Sequence, residues 1–291
     1  MDVLEGVGSA VGGVLDAHLH VVDVAACVED LTGNPNVRWW EQVDSSPAAV
    51  AERVRDAGVS GGVLVQAVGA HGFDNSLVVE AARTLGDDWR AMVAVGQSIE
   101  DPMSLLDWAS AHGASGLRLF SIPDPWLHDD FAVELVHRCR DLEVGPNVCC
   151  LPEELQAVAR LAAAVPDCEI AVDHCGFVAV GGDDQALVDL AQYENLVVKI
   201  STGVFDAAAV APRSVISRLL DLFGADRIVW GSDHPQVHDR AYADLVALAI
   251  DAISDLDATT QEAILSRTAS RLWFDHLAVS GDGAPRSNLN E

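Results

Sequence analysis

The chain has 291 residues, half of them hydrophobic, which is enough apolar content for a core in one large domain or two small ones. Its 45 acidic residues face only 17 basic ones, a single lysine (Lys199) among them, and the formal charge of −28 gives a surface that repels nucleic acid and anionic membranes. No apolar run approaches the roughly 18 residues of a membrane span, so the composition is that of a soluble globular protein.

Cys27, Cys139, Cys149, Cys150, Cys168 and Cys175 form no CxxC pair, and most sit in apolar runs. They read as buried free thiols in a reducing compartment, the cytoplasm. Asp2 and Glu5 stand where a signal peptide would carry basic residues, which argues against one.

The first strand is Val14-Leu15-Asp16-Ala17-His18-Leu19-His20. Alternate side chains of a strand share a side, so His18 and His20 converge on one point while Leu19 faces away. A long connection follows over 21–46, with turn residues at Asn34-Pro35-Asn36 and the pair Trp39-Trp40. It is expected to be ordered, either as a lid that lays Trp40 against a substrate or as a loop that both tryptophans pin to the body.

Ser46-Pro47 opens a helix that ends near Asp56, by the rule that a capping serine precedes proline at the first helical position. Strands and helices then alternate. Strands are expected at 62–66, 91–95, 116–120, 143–150, 169–173, 196–200 and 227–230. Helices are expected at 74–85, 102–112, 129–141, 152–164, 184–193 and 207–222. Eight doubly apolar strands spaced by about one helix each predict a parallel sheet, and eight units close most simply into a single-domain (β/α)8 TIM barrel over 1–279, with a flexible polar tail at 280–291. The competing doubly wound sheet would announce itself by GxGxxG, which is absent.

In such a barrel the chemistry sits at the C-terminal strand ends. Those ends carry His18 and His20, Gln66, Arg118, His174, Ser201 and Asp233. A carboxylate beside three imidazoles can take a proton from water while the imidazoles or a metal polarise a carbonyl, so Asp233 is the expected general base of a hydrolysis. Arg118 pairs either with a substrate carboxylate or with a protein acid. Gln66 binds substrate or closes a buried hydrogen bond. His71 and His234 are within reach of the pocket, and a shift of one residue decides whether Lys199 faces in or out.

These residues resemble the amidohydrolase superfamily, and within it the amidohydrolase-2 type of metal-dependent-hydrolase-like barrels. The resemblance rests on Asp16-Ala17-His18-Leu19-His20, Gly116-Leu117-Arg118-Leu119, Asp173-His174-Cys175-Gly176, Val198-Lys199-Ile200-Ser201 and Trp230-Gly231-Ser232-Asp233-His234-Pro235, in the family's order. It implies that His18, His20, His174 and Asp233 form the catalytic or metal constellation. Arg118, Gln66, Trp40, Ser201 and His234 are expected to contact substrate from their places at the strand ends and in the loops beside them. Lactonases of this branch activate water at the position of Asp233, some of them without metal, and other branches are zinc-dependent decarboxylases.

The fifth strand, Asn147-Val148-Cys149-Cys150, lacks the histidine common in zinc-dependent members, with Cys149 the substitute ligand or a packing residue. A divalent metal, zinc or manganese, and a metal-free site therefore both stay open. The resulting expectation is a hydrolase that opens a lactone or similar cyclic ester of a small, anionic organic acid. Its alternatives are a zinc-dependent decarboxylase of an aromatic or unsaturated acid and a barrel that only binds a small molecule. No nucleic-acid or membrane partner is expected, and a homo-oligomer is left open.

Overall fold

A computed structural model describes residues 13–28 and 38–275. Eight strands, β1 (Leu15–Leu19), β2 (Gly61–Val65), β3 (Trp89–Val95), β4 (Ala114–Ser121), β5 (Gly145–Cys150), β6 (Ile170–Val172), β7 (Leu196–Ile200) and β8 (Ile228–Trp230), pair in parallel in chain order. Closure falls to residues just past β8. His234 bridges Leu19 and its carbonyl accepts from the amide of His20 at 2.8 Å, while the amide of Asp233 donates to the carbonyl of His18 at 2.9 Å. The expected (β/α)8 barrel is what forms, and the seam that closes it is made of the candidate site residues themselves.

The principal helices are α1 (Pro47–Asp56), α2 (Ser76–Leu85), α3 (Pro102–Ala111), α4 (Asp130–Asp141), α5 (Leu155–Ala164), α6 (Gln185–Leu190), α7 (Pro212–Phe223) and α8 (Tyr242–Ile253). Side-chain oxygens of Ser46 and Asp101 accept from the amides of Ala49 and Ser104, and proline follows each cap, so α1 and α3 start where the sequence places them. One helix expected over 207–222 is instead two, Thr202–Ala207 and α7, because Pro212 lacks an amide hydrogen and cannot sit inside a helix. The expectations stop at the eighth strand, whereas α8 and three further helical segments (Ala258–Glu262, Ala263–Arg267 and Ser270–Phe274) continue the chain to Phe274. Part of the anticipated lid (29–37) and the anticipated tail (280–291) lie outside the described residues.

Each strand is buried on both faces. Outward residues such as Leu64, Val93, Leu117, Leu119, Val198 and Ile228 pack under the helices, and the inward set of Ala17, Val63, Val65, Met92, Ala171, Val197 and Val229 fills the barrel. Trp273, from the last helical segment, joins the inward set and floors it. The upper end of the interior is polar, with Arg118, Asn147 and Lys199 all buried there. Among the described residues no helix is long and apolar enough to cross a membrane.

The seam tolerates no extra atom. A Cβ on Gly231 would lie 2.6 Å from both the Cβ and the amide nitrogen of His18, with no flexible side-chain end to move aside. Gly231→Ala is therefore expected to cost about 1–3 kcal/mol of stability and to displace His18. Urea unfolding measures the cost, and an unchanged midpoint would show that the β1–β8 seam opens freely.

Candidate active site

β1 delivers its two histidines to one point, as alternation requires, and the barrel buries both, His18 completely and His20 to 3% exposure. His20 donates through Nδ1 to the carbonyl of Val65 at 2.8 Å, because a carbonyl only accepts. Its Nε2 lies 3.3 Å from Oδ1 of Asp233. His18 sets Nδ1 3.3 Å from Oδ1 of Asp173 and Nε2 3.6 Å from the same Oδ1 of Asp233.

Asp173, the last residue before the turn after β6, is the hub. Besides His18 it meets Nε of Arg118 (β4) at 2.7 Å and Nζ of Lys199 (β7) at 3.0 Å, all of them buried. Burial pushes the Asp173 carboxyl up, but Lys199, Arg118 and His18 outweigh it and hold the group well below the usual carboxylate range. Lys199 also lies over the Trp273 ring, 4.9 Å from its centre, so the hub is tied to the barrel floor. Burial drives His18 well below its ordinary value and lowers His174, which keeps both imidazoles neutral at pH 7.

The chain leaves β6 in a left-handed turn: His174, Cys175, Gly176 and Phe177 have φ of 52, 52, 62 and 56°. Three of these residues are not glycine, and such backbone persists only where surrounding structure enforces it. The turn lets the adjacent residues Asp173 and His174 both reach the interior, and a 2.7 Å hydrogen bond joins Nδ1 of His174 to Oγ of Ser201. Asp233 shares the left-handed conformation, φ 65°, above the seam. Burial opposes its ionisation, yet His174, then His20 and His18, overcome that and hold its carboxyl below the usual range. Asp16 braces the same seam by accepting from the amides of His18 and Ser232 and from the Tyr242 hydroxyl, and burial pushes its carboxyl up to about 6.

Ligand atoms of His18, His174 and Asp233 lie within 4.8 Å of one another. Oδ1 of Asp233 is buried without a hydrogen-bond partner, 3.3 Å from Nε2 of His20 and 3.6 Å from Nε2 of His18. Imidazole nitrogens and a carboxylate oxygen so gathered are the N and O ligands that zinc accepts, so the donor set fits a divalent metal. Cys149 stands outside this group, and burial pushes its thiol up to about 12.

The remaining expectations need correction in place. Gln66 spends both amide hydrogens on the carbonyls of Gly72 and Asp74, so it anchors the loop after β2. Trp40 is buried against Trp39, Val22, Ala67 and Ala70, and Trp39 is the indole that faces the site, 5.8 Å from the His20 ring. Ser201 holds His174 and also lines the cavity beside it. His234 turns outward, stacked on Tyr242, with Arg53 donating to its Nε2 at 3.5 Å, and His71 ties down the segment at Asp23 and Ala26. Arg118 takes the protein-acid partner that the sequence left open, and Lys199 faces in. Phe177 and the hub role of Asp173 carry no sequence signal beyond their places just after β6, and Trp39 none beyond its place in the connection after β1.

A family model described as Amidohydrolase matches residues 15–274. No curated protein matches the chain. Among solved structures, a protein of Pseudomonas putida described as a candidate 2-pyrone-4,6-dicarboxylic acid hydrolase is 22% identical, with TM-score 0.71 over 89% of this chain and 97% of its own. An Acinetobacter baumannii protein described likewise, with citric acid bound, is 18% identical, with TM-score 0.70 over 89% and 98%. A Burkholderia multivorans amidohydrolase with bound zinc is 19% identical, with TM-score 0.69 over 90% and 99%. At these identities the likeness establishes the shared barrel.

Removing the hub carboxylate strands two buried cations, so Asp173→Ala is expected to destabilise by about 3–5 kcal/mol in urea unfolding at pH 7. Acid should act in the same direction. His18 and His174 bind protons less readily folded than unfolded, so their contribution is lost as pH falls below about 6.5, and that of Asp173 is lost below about 4. Asp16 opposes this between about 4 and 6, one group against three. Stability that rises on acidification from pH 7 to 4 would contradict the assignment.

Proposed function

The chain belongs to the amidohydrolase family, whose model spans residues 15–274, and on that footing we propose that it is a hydrolase that opens a lactone or similar cyclic ester of a small organic acid. The observation that carries this reading is the unpartnered Oδ1 of Asp233, set within 3.6 Å of the Nε2 atoms of two histidines. The 2-pyrone-4,6-dicarboxylic acid hydrolase descriptions of two neighbours support water as the attacking group and favour hydrolysis over decarboxylation.

In this reading a water beside Asp233 attacks the ester carbonyl carbon as the Asp233 carboxylate takes its proton. The ring C–O bond then breaks, the proton passes to the leaving oxygen, and the product is a hydroxy acid. Arg118 gives Nε to Asp173, which leaves its terminal nitrogens to donate to a substrate oxygen. Ser201 fixes the His174 ring, and Asp173 fixes the His18 tautomer, so neither imidazole has to reorganise during the reaction.

A carboxylate held below its usual range is a weak base for ordinary water, and the site needs an electrophile beside it. A divalent cation, zinc or manganese, held by His18, His20, His174 and Asp233 is part of the proposal, and when bound it supplies the Lewis acidity that polarises the carbonyl and acidifies the water. The Burkholderia multivorans neighbour with bound zinc supports that choice.

Asp233→Asn removes the proton acceptor and keeps the shape. It is expected to lower kcat on a hydrolysed lactone by about 10²–10⁴-fold or more without moving the unfolding midpoint. A variant that turns over at the wild-type rate would remove Asp233 from the mechanism.

A further inference from the structure

A cavity of about 350 Å³ opens directly beside His174 and Asp233, between the segments that follow β6, β7 and β8. Its walls are Phe177, Val178, Val204, Ala207 and Val237, with Ser201 and Gln236 the uncharged polar residues beside His174, and Asp233 is the one charged side chain among its lining residues. Phe177 is a large apolar side chain left 47% exposed, its ring 5.0 Å from that of His174 and its backbone held in the strained left-handed region. Phe177 thereby adds an aromatic face to the apolar wall of the cavity.

The cavity wall carries no basic side chain. Lys199 and the Nε of Arg118 are committed to Asp173, and neither residue lines the cavity. The chain as a whole carries −28. A polycarboxylate would have to approach an acidic protein and then seat charged groups against apolar side chains.

We infer that the substrate is an uncharged lactone bearing an apolar substituent, which docks in this cavity while the ring carbonyl lies at His18, His174 and Asp233. This rests on the hydrolase reading and departs from the anionic substrate that the sequence suggested. The substituent contributes binding in proportion to the apolar surface it buries.

The test compares δ-valerolactone, δ-octalactone, δ-decalactone and 2-pyrone-4,6-dicarboxylate. The inference expects kcat/KM to rise about threefold per added methylene until the cavity is full, with the dicarboxylate the poorest substrate. In Ala207→Trp, which narrows the cavity from an exposed position, the ratio of kcat/KM for δ-decalactone over δ-valerolactone is expected to fall about tenfold or more. A flat series, a preference for the dicarboxylate, or an unchanged ratio in the variant would overturn it.

Calorimetric binding of the same lactones to Asp233→Asn protein separates the two claims. Affinity that rises with chain length alongside no turnover by the native protein removes the hydrolase reading and leaves the cavity assignment standing. Affinity that ignores chain length removes the cavity assignment whatever the turnover.

Discussion

Three strands meet on the carboxylate of Asp173: β1 through His18, β4 through Arg118 and β7 through Lys199. A buried ammonium and a buried guanidinium are each costly to desolvate, and they are tolerable because one carboxylate answers both. The same contact decides the chemistry above it. His18 turns Nδ1 toward Asp173 and Nε2 toward Asp233, so the hub sets the orientation of the ring. Lys199, reaching from the hub to Trp273, makes the packing of the barrel floor and the tautomer of a site histidine parts of one arrangement.

The site is also where the backbone departs from ordinary conformation. His174, Cys175, Phe177 and Asp233 all have positive φ without being glycine, and they surround the cavity and the cluster. The barrel holds them there through its seam: His234 closes on His20, Asp233 on His18, and Asp16 bonds across both ends. A rigid scaffold thus carries strained residues whose side chains need no movement to face a substrate.

The eight-strand alternation was legible because doubly buried strands read as short apolar runs at regular spacing, and the convergence of His18 and His20 followed from a period of two. Asp173 was not legible as the hub because that same period sends neighbours to opposite faces, and only the left-handed turn brings Asp173 and His174 to the same interior. The side of Lys199 depended on a register that one residue could reverse. Trp39 and Trp40 exchanged their expected places, and Gln66 turned to backbone carbonyls, because loop side chains answer to neighbours that the local sequence does not specify. Pro212, by contrast, carried a readable stop that a single expected helix ran across.

The central claim is that the ring nitrogens of the site histidines and the unpartnered Oδ1 of Asp233 converge where a divalent cation would be held. Its most direct test is elemental analysis of the purified native protein, with lactone hydrolysis measured on the same sample before and after chelation. The account predicts about one zinc or manganese ion per chain and activity that falls with the metal and returns when it is restored. Folded protein that hydrolyses its lactone at full rate with no bound metal would contradict it.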